Sequence, residues 1–420
     1  MIFAGRSKLI KTVLCSLALV LFSTGLNVCA QESNPNAALS AETPFQLNSG
    51  TSRGSNPDIA ASADGRHIYA VWEGESNGFR RIFLRESFDG VWFPEIIIDA
   101  DPAGGNMNPT VAVDINGRPH VAWIATIAGR RVPMYAHRVS RQPLARWSIR
   151  ELLPRQYPEV GDCDYVTIQC DDQGSPWIAW QSGFGSTYSI FAAHPGNSGK
   201  GLRITELTPL ATGPNLYPEI LTSGEPVILW YTVPERGADE SGQRYALAAK
   251  RYDSNQIWQP YTPDNFDLLE ADALPLIVEN ADSELSAFWY TSTVGEDNEP
   301  SGNDRILVGQ QSSETRGAGT IIDGMPLRQN REVAAVVMDQ DTYMAVWTAH
   351  TSDGFSDIIA AYSDKAAGLV ALTLTPPMPA QVYSAPQIDG LSNNDFAVVW
   401  QADSTGSVND GAIYFTRVGP

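Results

Sequence analysis

The sequence predicts an all-β fold: a seven-bladed β-propeller of four-stranded blades, closed by an N-terminal strand that pairs with the last blade. Three observations predict it. A strand–turn–strand segment repeats along the chain, a tryptophan recurs at the same place in each repeat, and one unpaired strand precedes the first repeat. A single four-stranded blade cannot bury both of its faces, so such repeats stack around a common axis.

The unpaired strand is the first element, and it runs from Pro44 to Leu47. The seventh repeat lacks a fourth strand because the sequence ends at Pro420. An open ring would leave two bare blade faces. We therefore expect the early strand to complete the last blade by backbone pairing, with Phe45 close to Tyr414. One propeller domain is predicted for residues 44–420, preceded by a flexible segment over residues 31–43.

Each repeat then contains two strands joined by a tight turn, and the second strand ends in tryptophan. Turn pairs such as Asp64-Gly65 and Asn116-Gly117 are typical of β-hairpins. Successive repeat tryptophans are separated by 51, 57, 50, 59, 58 and 53 residues, at positions 72, 123, 180, 230, 289, 347 and 400. This regularity predicts core packing between blades. The first strand opens with proline in five repeats (57, 109, 218, 275 and 386), where a missing N–H does least harm.

A third strand follows each tryptophan, as at Ile82-Phe83-Leu84 in the first repeat. A fourth strand follows in six repeats, over residues 93–98, 147–152, 202–207, 258–261, 320–322 and 370–374. An outer-membrane barrel is the competing all-β fold, but it lacks a period of about 50 residues and needs lipid-facing alternation in every strand.

Residues 1–30 have the pattern of a secretory signal peptide. A basic start is followed by an apolar run from Thr12 to Phe22 and by small residues before Gln31, which predicts cleavage after Ala30. The alternative is a lipoprotein anchored through Cys29, although Val28 is a poor match to the small residue expected there. The sequence therefore predicts a periplasmic or secreted protein with no transmembrane segment in its mature chain.

Charge excludes several classes of partner. The chain carries 48 acidic and 28 basic residues, and its formal net charge is −20. A nucleic-acid binder needs a basic face to displace counterions from phosphate, and a protein that docks on an anionic membrane also needs a basic surface.

Residues 31–420 contain only two cysteines, Cys163 and Cys170. A disulfide between them requires residues 163–170 to fold back as a hairpin, since an extended strand would separate them by roughly 20 Å.

The repeat pattern resembles the sialidase-like superfamily of propellers built from BNR, or Asp-box, repeats. The segment from Ser87 to Trp92 is similar to a shortened Asp-box, and the segment from Tyr252 to Trp258 is a weaker match. Sialidases of this superfamily use three arginines, a tyrosine–glutamate pair and an aspartate. Their early Arg-Ile-Pro motif is replaced here by Arg80-Arg81-Ile82-Phe83. The resemblance therefore implies the fold and does not identify catalytic residues.

A ligand site is expected where the inner strands begin, at the mouth of the central channel. The candidate ligand-binding residues are Arg53, Asp58, Asp164, Tyr165, Tyr217 and Glu219, with Asp162 and Asp272 as further acidic residues nearby. Paired carboxylates across a channel suit glycosidase acid–base chemistry. Arg53 suits a substrate carboxylate.

Two loops in the fourth and fifth repeats, over residues 231–244 and 290–305, are also acidic. Their carboxylates form a solvated rim in one interpretation and a weak calcium site in the other. They carry Glu235, Asp239, Glu240, Glu296, Asp297, Glu299 and Asp304. The histidines show no metal-ligand spacing, and we expect no other cofactor.

Two functions remain open on the sequence alone. The first is a monomeric binding scaffold outside the cytoplasm, with a glycan or an envelope protein as partner. The alternative is a sialidase-like glycoside hydrolase or a polysaccharide lyase with its site at the channel mouth. Fold analogy favours the second, and the lack of a catalytic signature favours the first.

Overall fold

The computed structural model describes residues 39–49, 53–99, 105–142, 145–152, 161–184, 187–196, 201–209, 213–232, 246–262, 276–280, 282–291, 305–310, 320–322, 329–339, 342–350, 354–364, 368–375, 381–404 and 411–420. These residues belong to one compact unit, Ala38–Pro420. Regular structure in the described residues is β-strand, apart from one turn of 3-10 helix at Ser392–Asn394. No helix in this part of the chain is long and apolar enough to cross a membrane. The predicted signal peptide lies outside the described residues.

Two short strands come first, and they pair with the last strand of the chain rather than with their neighbours. They are β1 (Ser40–Ala41) and β2 (Phe45–Gln46), and both run antiparallel to β30 (Ala412–Gly419). Phe45 pairs with Phe415, and Gln46 pairs with Tyr414. The N-terminal strand therefore lies in the sheet of the seventh repeat. Strand β1 falls within the segment 31–43.

The first three repeats each form an antiparallel sheet in which successive strands are neighbours. The first sheet contains β3 (Gly54–Ala61), β4 (His67–Ser76), β5 (Phe79–Phe88), β6 (Val91–Trp92) and β7 (Ile96–Ile97). The second contains β8 (Gly105–Val113), β9 (Pro119–Ile127), β10 (Arg130–Arg138) and β11 (Trp147–Glu151). The third contains β12 (Asp162–Cys170), β13 (Pro176–Phe184), β14 (Thr187–Pro195) and β15 (Leu202–Glu206).

The last four repeats follow the same order. The fourth sheet contains β16 (Asn215–Leu221), β17 (Val227–Thr232), β18 (Ala246–Tyr252) and β19 (Trp258–Tyr261). The fifth contains β20 (Leu276–Glu279), β21 (Leu285–Thr291), β22 (Arg305–Gln310) and β23 (Thr320–Ile321). The sixth contains β24 (Gln329–Val337), β25 (Tyr343–His350), β26 (Ser356–Asp364) and β27 (Gly368–Thr373). The seventh contains β28 (Gln381–Gly390), β29 (Phe396–Ser404) and β30. The described residues thus form an all-β protein of seven sheets, each with at least four strands once β1 and β2 are counted.

The repeat tryptophans are buried, as the sequence predicts. The expectation that the second strand ends at the tryptophan was wrong, because each of these strands continues for two to four residues beyond it. Each tryptophan packs with aliphatic residues of a core cluster, and Trp123 and Trp180, from neighbouring sheets, share one cluster. Trp72 is fully buried in a cluster shared by the first and seventh sheets, and Trp400 is fully buried in a cluster shared by the sixth and seventh sheets. Apolar area removed from water between sheets therefore stabilises the stack.

The first strand of six of the seven sheets carries a one-residue irregularity, which explains the proline found there in four of them. In six sheets the register with the second strand shifts beside a residue with positive φ, and that residue precedes proline or valine. The six residues are Asn56, Asn108, Tyr165, Tyr217, Glu332 and Ala385. A residue within a bulge makes no ladder hydrogen bond, so proline is tolerated there.

The two cysteines lie on the single extended strand β12, at Cys163 and Cys170, and both are free thiols. The hairpin that a disulfide between them would need is absent from these described residues. Burial raises the pKa of the Cys163 thiol to about 11.

Candidate functional site

A central cavity of about 780 Å³ is lined by the first strands of all seven sheets. The residue that follows each bulge faces this cavity, and the seven equivalent residues differ in chemistry: Asp58, Thr110, Thr167, Glu219, Leu276, Ala334 and Gln387. Ligand pockets in proteins have volumes of about 300–1,000 Å³. We call this cavity the channel.

Backbone hydrogen bonds at the bulges link neighbouring sheets. The N–H of Asn108 donates to Glu73 Oε2 over 3.0 Å, and the N–H of Tyr217 donates to Gln181 Oε1 over 2.8 Å. Glu73 and Gln181 each follow the repeat tryptophan of the preceding sheet. Gln401 Oε1 accepts from the N–H of Asn56 over 3.2 Å, which links the seventh sheet to the first. In these three cases a side chain one position beyond the tryptophan fixes the bulge of the next sheet, whereas the bulge N–H of Ala385 in the seventh sheet donates to Glu332 Oε2 over 2.7 Å.

Tyr165 and Tyr217 occupy this bulge position in the third and fourth sheets, with φ of 42° and 51°. Left-handed backbone is unusual for a bulky side chain and is typical of functional sites. Their rings meet edge to face with centroids 5.2 Å apart. Tyr217 is 40% exposed, so its ring is available to a ligand. Tyr165 lines the channel.

Tyr165 Oη donates a hydrogen bond of 2.7 Å to Glu219 Oε1. Burial raises the pKa of Glu219 to about 7; the bond from Tyr165 opposes this rise and the negative charge of Asp58 adds to it. Burial and the adjacent Glu219 also hold the pKa of Tyr165 well above its usual value. No hydrogen-bond donor among the described residues reaches Glu219 Oε2. One carboxyl oxygen of Glu219 therefore remains open to the channel and can exchange a proton near neutral pH.

Asp58 and Asp389 also line the channel, but both oxygens of each carboxylate already accept hydrogen bonds. In each case Oδ1 accepts the N–H of the next residue in the chain, Ile59 or Gly390, and Oδ2 accepts from the neighbouring sheet. Asp58 Oδ2 accepts from the Val111 N–H and the Thr110 hydroxyl, both over 2.8 Å. Asp389 Oδ2 accepts from the Ala61 N–H over 2.7 Å. Burial raises the pKa of Asp58, and it raises that of Asp389 to about 6. These two carboxylates connect sheets, whereas Glu219 has an unoccupied oxygen.

The six candidate residues from the sequence separate into three groups. Asp58, Tyr165 and Glu219 line the channel, and Tyr217 packs on Tyr165. Asp164 lies beside them, where its Oδ1 accepts the Tyr165 N–H over 3.1 Å.

Arg53 lines a different pocket of about 790 Å³, next to Glu75, Glu95 and Ile97 on the first sheet. It therefore does not join the channel group. The acidic loop residues proposed as a rim or calcium site lie outside the described residues, as does Asp272.

The sequence analysis did not single out Asp389, Thr110, Glu279 or the bulge asparagines as channel residues. The sequence did place Asp389 on an inner strand, because it follows Pro386 by three positions and Pro386 belongs to the repeated proline of the first strands. The described residues contain no group of three or more His, Cys, Asp or Glu side chains arranged to hold a metal ion.

Seven sheets around a shared channel define this chain as a β-propeller. Solved structures with the same fold include an ulvan lyase of polysaccharide lyase family PL25, with a TM-score of 0.57, 12% identity, and coverage of 89% of this chain and 95% of that chain. The polysaccharide lyase Uly1 has a TM-score of 0.52 at 8% identity, covering 85% and 89%. The propeller domain of the Trilobed protease from Pyrococcus furiosus has a TM-score of 0.51 at 8% identity, covering 87% and 93%.

No protein-family model matches the chain, and no curated protein matches its sequence. At identities this low, the structural similarity establishes the fold alone.

Proposed function

We propose that this protein is an extracytoplasmic β-propeller that binds an uncharged glycan chain at its channel, against the lining residues Tyr165 and Glu219 and against Tyr217, which packs on Tyr165. The single observation that carries the proposal is the pair of left-handed tyrosines next to the open oxygen of Glu219. An exposed aromatic ring packs against the C–H face of a sugar, and a carboxyl group bonds to its hydroxyls. The channel volume suits a small number of sugar rings better than a folded protein partner.

The negative charge of the channel lining favours an uncharged ligand over an anionic one. The described channel lining contains four acidic residues, Asp58, Glu219, Glu279 and Asp389, and no arginine, lysine or histidine among its described members. A uronate, sulfate or sialate group in the channel would lie against these carboxylates, and none of the described lining residues carries a positive charge to compensate it. The proposal therefore separates this protein from enzymes that act on acidic sugars, although it shares their fold.

The proposal includes the architecture and location expected from the sequence. We propose seven blades in a ring closed by the N-terminal strands, within the sialidase-like superfamily. The pairing of Phe45 with Phe415 and the bonds from Asn56 and Ala61 to the seventh sheet support it. We also propose that residues 1–30 are removed as a signal peptide, which leaves a monomeric periplasmic or secreted protein.

A glycan array with purified residues 31–420 tests the binding function. We expect binding to neutral oligosaccharides, a loss of about tenfold or more in affinity for Tyr217→Ala, and a smaller loss for Tyr165→Phe. The control is Phe184→Ala, since Phe184 is a 70% exposed aromatic residue that, unlike Tyr217, makes no ring contact with Tyr165 and does not line the channel. Binding confined to acidic glycans, or an equal loss for Phe184→Ala, would refute the proposal.

A glycoside hydrolase is the second candidate, and the pKa of Glu219 near 7 favours it. A carboxyl group with a raised pKa can donate a proton to a leaving oxygen at neutral pH. Incubation of wild type with neutral oligosaccharides, followed by analysis of reducing ends, tests this candidate. Turnover that disappears in Glu219→Gln while binding persists supports hydrolysis. Binding without turnover in wild type supports the scaffold.

A further inference from the structure

We propose that Arg131 is a positioning residue that sets the orientation of Tyr165 toward Glu219 through Asp164. This inference rests on the proposed function and adds a residue from the second sheet to the site.

The third sheet lacks the inter-sheet bond that fixes the bulges of the first, second and fourth sheets. In the first, second and fourth sheets the bulge N–H donates to Gln401, Glu73 and Gln181, each one position after a repeat tryptophan. The corresponding residue before the third sheet is Ile124, which is fully buried and has no side-chain acceptor. The N–H of Tyr165 donates instead to Asp164, its own neighbour in the chain.

Arg131 supplies the missing connection between the second and third sheets. Its Nη1 lies 3.4 Å from Asp164 Oδ2, and its Nε lies 3.5 Å from Asp162 Oδ2. The Arg131 backbone N–H also donates to Asp162 Oδ1 over 3.1 Å, which fixes the start of β10 against β12. One oxygen of Asp164 thus faces Arg131 while the other accepts the Tyr165 N–H. A cation on one sheet holds the carboxylate that fixes the bulge of the next.

The orientation of Tyr165 determines whether its hydroxyl can donate to Glu219 Oε1. A bulky residue in left-handed backbone relaxes readily when its surroundings no longer hold it. Rotation of this bulge moves the hydroxyl away from Glu219 Oε1 and the ring away from Tyr217. The bond from Tyr165 lowers the pKa of Glu219, so its loss would raise that pKa further. The other groups that act on Glu219 and Tyr165 are Asp58 and Tyr231.

The test measures the titration of the Glu219 carboxyl carbon by NMR in the ligand-free protein, together with glycan affinity. We expect Arg131→Gln and Asp164→Ala to move the Glu219 midpoint upward and to weaken glycan binding about five- to tenfold. Arg131→Lys should restore most of both. Asp162→Asn is the matched control, because Asp162 contacts the same arginine but not Tyr165, and it should leave both readouts unchanged.

The two readouts separate this inference from the proposed function. An unchanged Glu219 midpoint in both Arg131→Gln and Asp164→Ala overturns the positioning role, whatever the glycan affinity. If the variants shift the Glu219 midpoint but the wild-type protein binds no glycan, the positioning role is supported and the proposed function is overturned. An equal shift in Asp162→Asn also overturns the positioning role, since the effect would then follow the loss of any charge near Arg131.

Discussion

Phe45 packs edge to face on Phe415, with ring centroids 5.5 Å apart, and so joins the start of the described chain to its end. Trp92 of the first sheet completes the contact, at 6.0 Å from Phe45 and 4.9 Å from Phe415. Three aromatic rings from the N-terminal strand, the first sheet and the seventh sheet therefore meet at one point. Aromatic pairs of this geometry stabilise a contact beyond the area that they bury.

Replacing Phe45 tests the importance of this contact for stability. Because Phe45 is 37% exposed, we expect Phe45→Ala to lower the free energy of unfolding by about 1–3 kcal/mol, less than a fully buried phenylalanine. Urea denaturation measures the change. Val91→Ala is the control, since Val91 lies on the same sheet as Trp92 and is 65% exposed. Equal effects of the two substitutions would show that the aromatic contact does not hold the ends together.

The raised pKa values of Glu219 and Asp389 predict that stability falls as pH rises. Both values, about 7 and about 6, exceed the ordinary values of about 4.3 and 3.9. The folded protein therefore holds protons that the unfolded chain releases. The stabilisation is fully present below pH ~4 and is lost as pH rises through ~7.

Thermal unfolding between pH 5 and pH 8 measures this dependence. We expect Glu219→Gln to reduce the loss of Tm across that interval, because glutamine does not titrate. Asp253→Asn serves as the control. The pKa of Asp253 is lowered by hydrogen bonds from the Ile257 and Asn255 backbone, so it stays ionised throughout the interval. A pH slope in Glu219→Gln identical to that of wild type would contradict the assignment.

Asp58 should act as a connection between the first two sheets. Asp58→Ala leaves the Val111 N–H and the Thr110 hydroxyl without their acceptor, which should cost about 1–3 kcal/mol of stability. Asp58→Asn keeps one acceptor oxygen and should cost less. Hydrogen exchange at the Val111 amide should accelerate in the alanine variant. If that amide exchanges at the wild-type rate, Asp58 does not protect it.

A buried ion pair between the first two sheets should matter more than an exposed one. Arg138 contacts Glu86 at 2.6 Å, and the two side chains are only 1% and 4% exposed. Removing one partner of such a pair leaves a buried charge, so Arg138→Met should cost about 3–5 kcal/mol. Arg66 and Asp89 form a similar contact on the surface, and Arg66→Met should change stability little because solvent already screens that pair. Chemical denaturation of both variants measures the loss in the free energy of unfolding. Equal losses for Arg138→Met and Arg66→Met would contradict this prediction.

The two cysteines should react as separate thiols. Cys163 is fully buried, and the pKa of both thiols is raised by burial. For a protein comprising residues 31–420, we expect slow reaction with a thiol reagent in the folded state and two equivalents after unfolding without reductant. Mass spectrometry of the unreduced protein provides the second measurement. A mass that corresponds to an oxidised pair would contradict the extended strand β12.

Sequence periodicity was sufficient to locate the strands. The tryptophan spacing predicted seven units, and a sheet forms from each of them because the hydrophobic pattern within a repeat is local. The same pattern predicted that Phe45 would lie in the last sheet, which strand pairing with β30 confirms. The expectation that Pro57 and its equivalents open the inner strands was wrong, since Pro57 lies inside Gly54–Ala61 and Pro109 lies inside Gly105–Val113, at the bulge in each case. The sequence also did not show that a left-handed residue precedes these prolines.

Contacts between sheets were decided only in the tertiary structure. Tyr165 and Glu219 are 54 residues apart in the sequence and meet because Tyr165 occupies the bulge of the third sheet while Glu219 follows the bulge of the fourth. Arg53, which is close to Asp58 in the chain, lines a different pocket. Repeat patterns specify what each strand buries, since that depends on alternation along one segment. They do not specify which side chain of one sheet reaches the next, because that depends on bulge geometry and on the packing of two separate segments.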